Sequence, residues 1–410
     1  MPAANTTRSF GSVTKTLHWL TALLIFAAFP LGLIASDMSH RILDPSIPTT
    51  EAEIRRTVFL FSMHKTLGVT VFFVALIRII WALTQPRPGL LNGDKRLEAG
   101  LAETVHWLLY GSLVLVPLTG WIHHSATTGY APIWWPFGQS LPFVPQSPSV
   151  AETFGGVHEV LTKVLLVSVV LHIAGAVKHH VIDGDATLRR MLPGQSDAPV
   201  APGHHSGLFP PLLALAIAAL ALVGGGMAGV YGHAAAPGAS GTLDEVASGW
   251  TVDEGQLQIV VRQMGSEVTG EFAEWSAAIE FDPRDAPGPA GTVEVTVAIG
   301  SLTLGTVTAQ AMGPDYFDAE TYPTATFTAE ILRTETGYTA PGTLTIRDAS
   351  VPAELPFTLE IEGDTAQMTG SMQVNRMDFG IGTGTQDENT LGHGVFIDVT
   401  LTASRAAPAS

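Results

Sequence analysis

His158 and His172 stand 14 residues apart in a stretch, Val157 to Ile173, that is otherwise largely apolar. In an α-helix that separation is about 21 Å and nearly four complete turns. Both imidazoles therefore leave one face of the helix, each near one side of a hydrocarbon layer about 30 Å thick. A polar side chain inside such a layer is costly; where it occurs it marks function or sits at the interface. A chain built this way must cross the layer as helices or as a closed barrel, because no other backbone satisfies its own hydrogen bonds there.

Three more apolar runs precede this one: Leu17 to Ala35, Val58 to Leu83 and Val105 to Trp121. Arg8 and Lys15 lie before the first, and Arg87, Lys95 and Arg96 lie between the second and third. Positive charge of this kind marks cytoplasmic segments, so the N-terminus is placed inside. Residues 36–57 and 125–156 become outer loops, and the second, with no Lys or Arg, carries Trp134-Trp135-Pro136-Phe137, suited to the membrane interface. A cleaved N-terminal signal is set aside, since the first run is long and Pro30-Leu31-Gly32 offers no small-x-small site.

The depths then pair. His18 and His172 fall near the inner face, His64 and His158 near the outer. Two bis-histidine levels inside four helices make a haem-binding bundle, with facing helices supplying the ligands. The rival reading is a set of interfacial histidines, and the coincidence of two pairs counts against it. Arg78, 14 residues beyond His64, lies below it on the same face. His106, His123, His124, His179 and His180 are left over by this pairing and read as helix-end residues. The chain has no cysteine, which excludes disulfides, thiolate metal sites and covalent haem attachment through Cys-x-x-Cys-His.

Composition changes sharply along the 410 residues. Residues 1–205 hold 14 Lys and Arg against 12 Asp and Glu; residues 206–410 hold 6 against 25. The acidity of the second half argues against nucleic-acid binding. After a linker at 193–211, a fifth apolar run, Leu212 to Val230, leads outward. His233-Ala234-Ala235-Ala236 resembles a signal-peptidase site, but the run is read as an uncut anchor. From Leu243 onward short alternating segments appear, among them Gln256–Val261, Thr292–Val297, Ala325–Glu330, Gly342–Ile346, Pro356–Ile361 and Val395–Leu401. Period-two patterning broken by Gly, Pro and Asp reads as antiparallel strands, about eight of them, in a barrel or a sandwich. His393, between Gly392 and Gly394, reads as a turn residue.

Thr16-Leu17-His18-Trp19-Leu20, Met63-His64-Lys65-Thr66-Leu67-Gly68, Leu115 to Trp121, Val157-His158-Glu159 and Leu171-His172 form an ordered set. It resembles the bacterial cytochrome b561 family over roughly residues 8–192. The resemblance implies a four-helix membrane cytochrome with two non-covalent b haems. His18 and His172 would ligate the inner iron, His64 and His158 the outer, and Arg78 would pair with a haem propionate. The distal half resembles YceI-like domains through Gly265 to Phe272, Asp315 to Phe327, Gly342 to Arg347 and Asn375 to Gly382. That family implies a lipocalin-like antiparallel barrel around an isoprenoid lipid or quinone tail. Phe272, Trp275, Phe317, Tyr322 and Phe327 are candidate lining residues, and Thr306 to Gln310 replaces a charged segment common in relatives.

The expected organisation is therefore a cytochrome b561-like transmembrane domain at 1–192, a linker with a fifth transmembrane helix at 193–242, and a periplasmic barrel at 243–410. The expected protein is a multi-pass inner-membrane oxidoreductase that passes electrons from a periplasmic donor, superoxide by the resemblance, to ubiquinone. Arg55, Arg56 and Lys65 are candidates for steering an anion, although Asp37, Asp44, Glu51 and Glu53 share that loop. Two alternatives stay open: an electron conduit with no substrate chemistry of its own, and an isoprenoid carrier or sensor anchored by a cytochrome.

Overall fold

The computed structural model describes residues 2–43, 47, 50–86, 88–91, 95–127, 131–194, 207–231, 243, 248–263, 266–305 and 307–405. Its first half is helical: α1 (Ser12–Leu43), α2 (Glu51–Thr84), α3 (Arg96–Ala126), α4 (Pro148–Val181), the short α5 (Thr187–Met191) and α6 (Phe209–Met227). Five of these, all but α5, are long and apolar enough to cross a membrane. Each of the first four extends past its apolar run. The outer segment expected at 36–57 is thus largely helical, because a nucleated helix extends cheaply wherever its end is capped. At the start of α2 the cap is reciprocal. The Thr50 backbone N–H donates to Glu53 Oε2 at 2.9 Å, and the Glu53 N–H donates to Thr50 Oγ1 at 3.3 Å.

Five hydroxyls within the spans are satisfied locally. Thr21, Thr66, Thr104, Thr162 and Ser168 each donate to the carbonyl four residues earlier. The end of the bundle that the expected topology places inside is closed by chain segments around α1 and α5. Lys15 Nζ donates to Leu192 O and Gly194 O, both at 2.8 Å, and Trp19 Nε1 to Met191 O at 2.9 Å. α6 begins three residues before the fifth apolar run because Pro210 and Pro211 suit the first turn of a helix, where no N–H is required. It ends at Met227, and Gly229 follows at φ +73°, with Val230 N–H donating back to Gly225 O at 2.9 Å. The linker around 195–206 and the possible processing site at 233–236 lie outside the described residues.

The second half is an up-and-down barrel. Its strands are β1 (Trp250–Gln263), β2 (Ser266–Phe272), β3 (Trp275–Phe281), β4 (Gly288–Ala298), β5 (Leu302–Thr303), β6 (Thr324–Arg333), β7 (Tyr338–Ile346), β8 (Ala349–Glu362), β9 (Thr365–Asn375) and β10 (Leu391–Arg405), with α7 (Thr308–Met312) before β6. β2 with β3, and β4 with β5, are single staves broken at 273–274 and 299–301, so eight staves close the ring. Closure is antiparallel between β1 and β10, with Leu257 opposite Val399 and Ile259 opposite Ile397. Alternation supplies the core. Along β6, Ala325, Phe327, Ala329 and Ile331 are buried while their neighbours are not. His393 lies in β10 and not in a turn. Its Nε2 sits 3.0 Å from Gln386 O, because β10 starts as soon as the chain has passed Thr390.

β4 carries a bulge against β6 between Pro289 and Gly291. Gly291 has φ +153°, and a Cβ there would stand 1.9 Å from Glu280 O. Gly291→Ala should therefore destabilise the barrel by about 1–3 kcal/mol, the cost of one forced backbone. The check is the denaturant midpoint followed by β-sheet circular dichroism.

Candidate functional site

The helices bring the four sequence-selected histidines into two crossed pairs. At the outer level His64 of α2 faces His158 of α4, with ring centroids 6.3 Å apart and planes at 83°. His64 Nδ1 lies 2.8 Å from Ala28 O of α1, and His158 Nδ1 lies 2.8 Å from Val116 O of α3. A carbonyl can only accept, so each Nδ1 carries the proton and each Nε2 keeps its lone pair. One turn beyond each accepting carbonyl stands a glycine. A Cβ on Gly32 would lie 2.6 Å from His64 Cε1, and one on Gly120 would lie 3.0 Å from His158 Cε1. Both glycines are the room through which an imidazole reaches backbone.

At the inner level His18 of α1 faces His172 of α4, centroids 6.1 Å apart at 57°. Arg78 Nη2 lies 3.3 Å from His18 Nδ1, and its guanidinium sits 5.5 Å from the centre of the Tyr110 ring. His106 of α3 joins this level, its ring 5.1 Å from that of His172 and its Nδ1 2.7 Å from Ala102 O.

The spacing tests what the pairs can hold. Two imidazoles on opposite sides of one iron need about 2 Å for each metal–nitrogen bond and about 1 Å from each nitrogen to its ring centre, so about 6 Å between centroids. Both pairs meet that distance. At the outer pair two imidazoles that each keep an Nε2 lone pair match the donor set that b-type haem takes, whereas at the inner pair Arg78, which only donates, meets His18 Nδ1.

Lys65, a candidate from the sequence, gathers with His123 and His124 at the end of the bundle expected outside. Lys65 Nζ lies 3.2 Å from His124 Nδ1, and His124 Nε2 lies 3.2 Å from Gln139 Oε1. An ammonium only donates, so His124 carries its proton on Nε2 and passes it to the amide oxygen. His123 Nδ1 lies 2.6 Å from Ala151 O, and its ring rests over Gly155. This repeats the carbonyl-and-glycine cradle of His64 and His158. The His123-His124 doublet was visible in sequence; the backbone carbonyls that orient it were not. Arg55, in contrast, is held by Glu51 at 2.6 Å, one turn away, and Arg56 is exposed.

At the inner end, Glu98, His179 and Asp183 approach one another closely enough to ligate a metal. Lys178 Nζ already fills that position, 2.7 Å from Glu98 Oε2 and 2.9 Å from Asp183 Oδ2. The hydrogen bond from Lys178 holds the Asp183 carboxyl below its usual range. The cluster is an ionic clamp between α3 and α4.

The barrel encloses a cavity of about 180 Å³ with an almost wholly apolar wall. Phe272, Phe317 and Phe327 line it. Trp275 packs beside the core and covers Gly255, and Tyr322 lies under the Arg347 guanidinium, so neither is among the lining residues. Trp275 shares the inward register of Val297 opposite it, but its ring is taken up by Gly255, and Tyr322 lies in the loop before β6. The polar wall is Gln263, Gln310, Tyr316 and Arg376. Arg376 gives its N–H groups to Gly392 O at 3.0 Å, Ile381 O at 2.8 Å, Gly382 O at 2.7 Å, Leu391 O at 3.1 Å and also to Thr385 O. Gly382 N–H in turn donates to Asp315 O at 2.7 Å, so the Asp315 and Asn375 motifs close one end of the barrel together. Burial pushes the Tyr316 hydroxyl up from its ordinary value.

Crossed histidine pairs inside apolar helices, followed by an eight-stave barrel, define a membrane electron-transfer protein with an appended β-domain. Residues 9–194 match the model of the prokaryotic cytochrome b561 family, and residues 250–403 match that of the YceI-like domain. It is 27% identical over 196 residues to cytochrome b561 homolog 2 of Escherichia coli (strain K12), covering 47% of this chain and 95% of the relative. It is 25% identical over 178 residues to the probable superoxide oxidase CybB of Yersinia pestis, covering 43% and 92%. Among solved structures, Burkholderia cenocepacia BcnA shares 32% identity over 37% of this chain and 99% of that one, with a TM-score of 0.35. The family implies b-type haem, and with five membrane-spanning helices it makes this an inner-membrane protein.

The raised Tyr316 pKa has a stability consequence. Its folded value lies above the unfolded one, so its contribution is complete below about pH 10 and is lost as pH rises through the folded value. Wild-type barrel stability should fall as pH rises above about 10. In Tyr316→Phe that fall should be smaller, as read from denaturant midpoints across the series.

Proposed function

We propose that the protein takes electrons from superoxide at the outer membrane face and delivers them to ubiquinone. The equal spacing of the two crossed pairs, 6.3 Å and 6.1 Å, carries this reading. His64 and His158 would hold an outer haem and His18 and His172 an inner one, and each haem when bound would supply a one-electron relay. Arg78 stands at the inner level, where it can meet a propionate. The segments act as a cytochrome at 1–192, a linker with a fifth span at 193–242 and a barrel at 243–410. The N-terminus faces the cytoplasm and the barrel the periplasm.

At the outer face the chain's own residues set the approach of the anion. Lys65 with His123 and His124 forms a nitrogen-rich group beside His158. Arg55 and Arg56 add positive charge further along α2, although Glu51 offsets the first. The overall change takes two superoxide ions, one quinone and two protons to two dioxygen molecules and one quinol. The apolar barrel wall, with Phe272, Phe317 and Phe327, suits a quinone or related isoprenoid tail, and its polar atoms suit an uncharged head. Support also comes from the likeness to a relative named as a probable superoxide oxidase.

Purified full-length protein should contain two b haems per chain by pyridine haemochrome assay. Superoxide should reduce them and a short-chain quinone should reoxidise them. His64→Ala or His158→Ala should remove one haem and leave the other. Lys65→Gln should slow reduction by superoxide about tenfold at low salt, with the difference shrinking as salt rises. Two haems inert to superoxide would leave a conduit; fewer than two in the wild type would end the proposal.

A further inference from the structure

α6 lies outside both matched segments, 9–194 and 250–403. A helix that merely anchored a barrel would need only apolar residues facing lipid. α6 instead has a fitted seam against the bundle. Leu222 packs into the cluster of Val116, Leu161 and Leu165, together with Val157. Val116 is the residue whose carbonyl holds His158, and Val157 and Leu161 flank His158 on α4.

The closest approaches bracket the same histidine. A Cβ on Gly225 of α6 would lie 2.6 Å from Val160 Cγ2, two residues after His158. A Cβ on Gly156, two residues before His158, would lie 2.5 Å from Val230 O. Small residues at such seams let helices meet backbone to backbone, where dispersion is strongest. Tyr231 then locks the helix end. Its hydroxyl donates to Leu222 O at 2.5 Å, and its ring lies against Gly225 and Gly156.

We infer that α6 is a positioning element for the outer histidine pair: it holds α4 against α3 so that His158 keeps its Nδ1–H on the Val116 carbonyl. The inference rests on the proposed haem ligation. The carbonyl contact makes the imidazole a stronger donor to metal. Loosening the seam weakens that contact, and a weaker donor favours the reduced iron. The inner pair has Arg78 and His106 beside it, and the glycine contacts of α6 fall around His158 instead.

The test is a redox titration of the full-length protein in detergent, with the outer haem identified by its absence in His64→Ala. In Gly225→Leu the outer haem's reduction equilibrium should move tenfold or more toward the reduced form, about 59 mV for one electron, while the inner haem stays in place. Adding Val160→Ala, which makes room for the new side chain, should restore the outer potential. Gly225→Ala provides a milder wedge should the leucine variant misfold. An unchanged outer potential in the wedged variants, or an equal shift of both haems, would overturn the inference. Fewer than two haems in the wild type would instead overturn the ligation reading beneath it.

Discussion

A histidine gripped by a backbone carbonyl is the interaction on which the membrane half depends. In hydrocarbon an imidazole cannot hydrogen-bond to water, and an unsatisfied ring N–H is expensive. His64 and His158 solve this with Ala28 O and Val116 O, each at 2.8 Å. The same bond fixes the tautomer, so the opposite nitrogen keeps a free lone pair. Gly32 and Gly120 are required because any side chain there would occupy the ring's place. Four helices are thereby tied together by two side chains: α2 to α1 and α4 to α3.

The two levels are built differently on one spacing. The outer pair is backed by neutral carbonyls and lies beside Lys65, His123 and His124. The inner pair has a guanidinium and a third histidine beside it, and is closed by Lys15, Trp19 and the residues after α5. α4 contributes to both levels, and α6 presses on α4 around the outer one. A helix that links both levels and bears a fitted neighbour gives the fifth span a structural reason beyond anchorage.

The barrel solves a different problem with the same economy. Its cavity is apolar, and the one buried guanidinium among its described lining residues, Arg376, is spent on backbone carbonyls. That bonding closes one end and leaves the wall without free charge. Asp315 and Asn375, far apart in sequence, meet there because β5 leads into α7 on the end where β9 also leaves the sheet.

Much of this was legible in the chain itself. A 14-residue spacing on an apolar run forces two histidines onto one helical face at two depths, whatever the tertiary fold. Period-two alternation forces inward and outward faces on the strands, so Phe272 and Phe327 could be chosen as core. Helix ends were less legible, because capping at Thr50 and the prolines of α6 extend helices beyond their apolar runs. Tertiary structure alone decided which carbonyl each imidazole meets, that Lys65 joins His124, that Arg55 is occupied by Glu51, and that Trp275 and Tyr322 stand away from the cavity. Periodicity is a property of one helix or strand, whereas a hydrogen-bond partner 36 or 42 residues away exists only once neighbouring helices have packed.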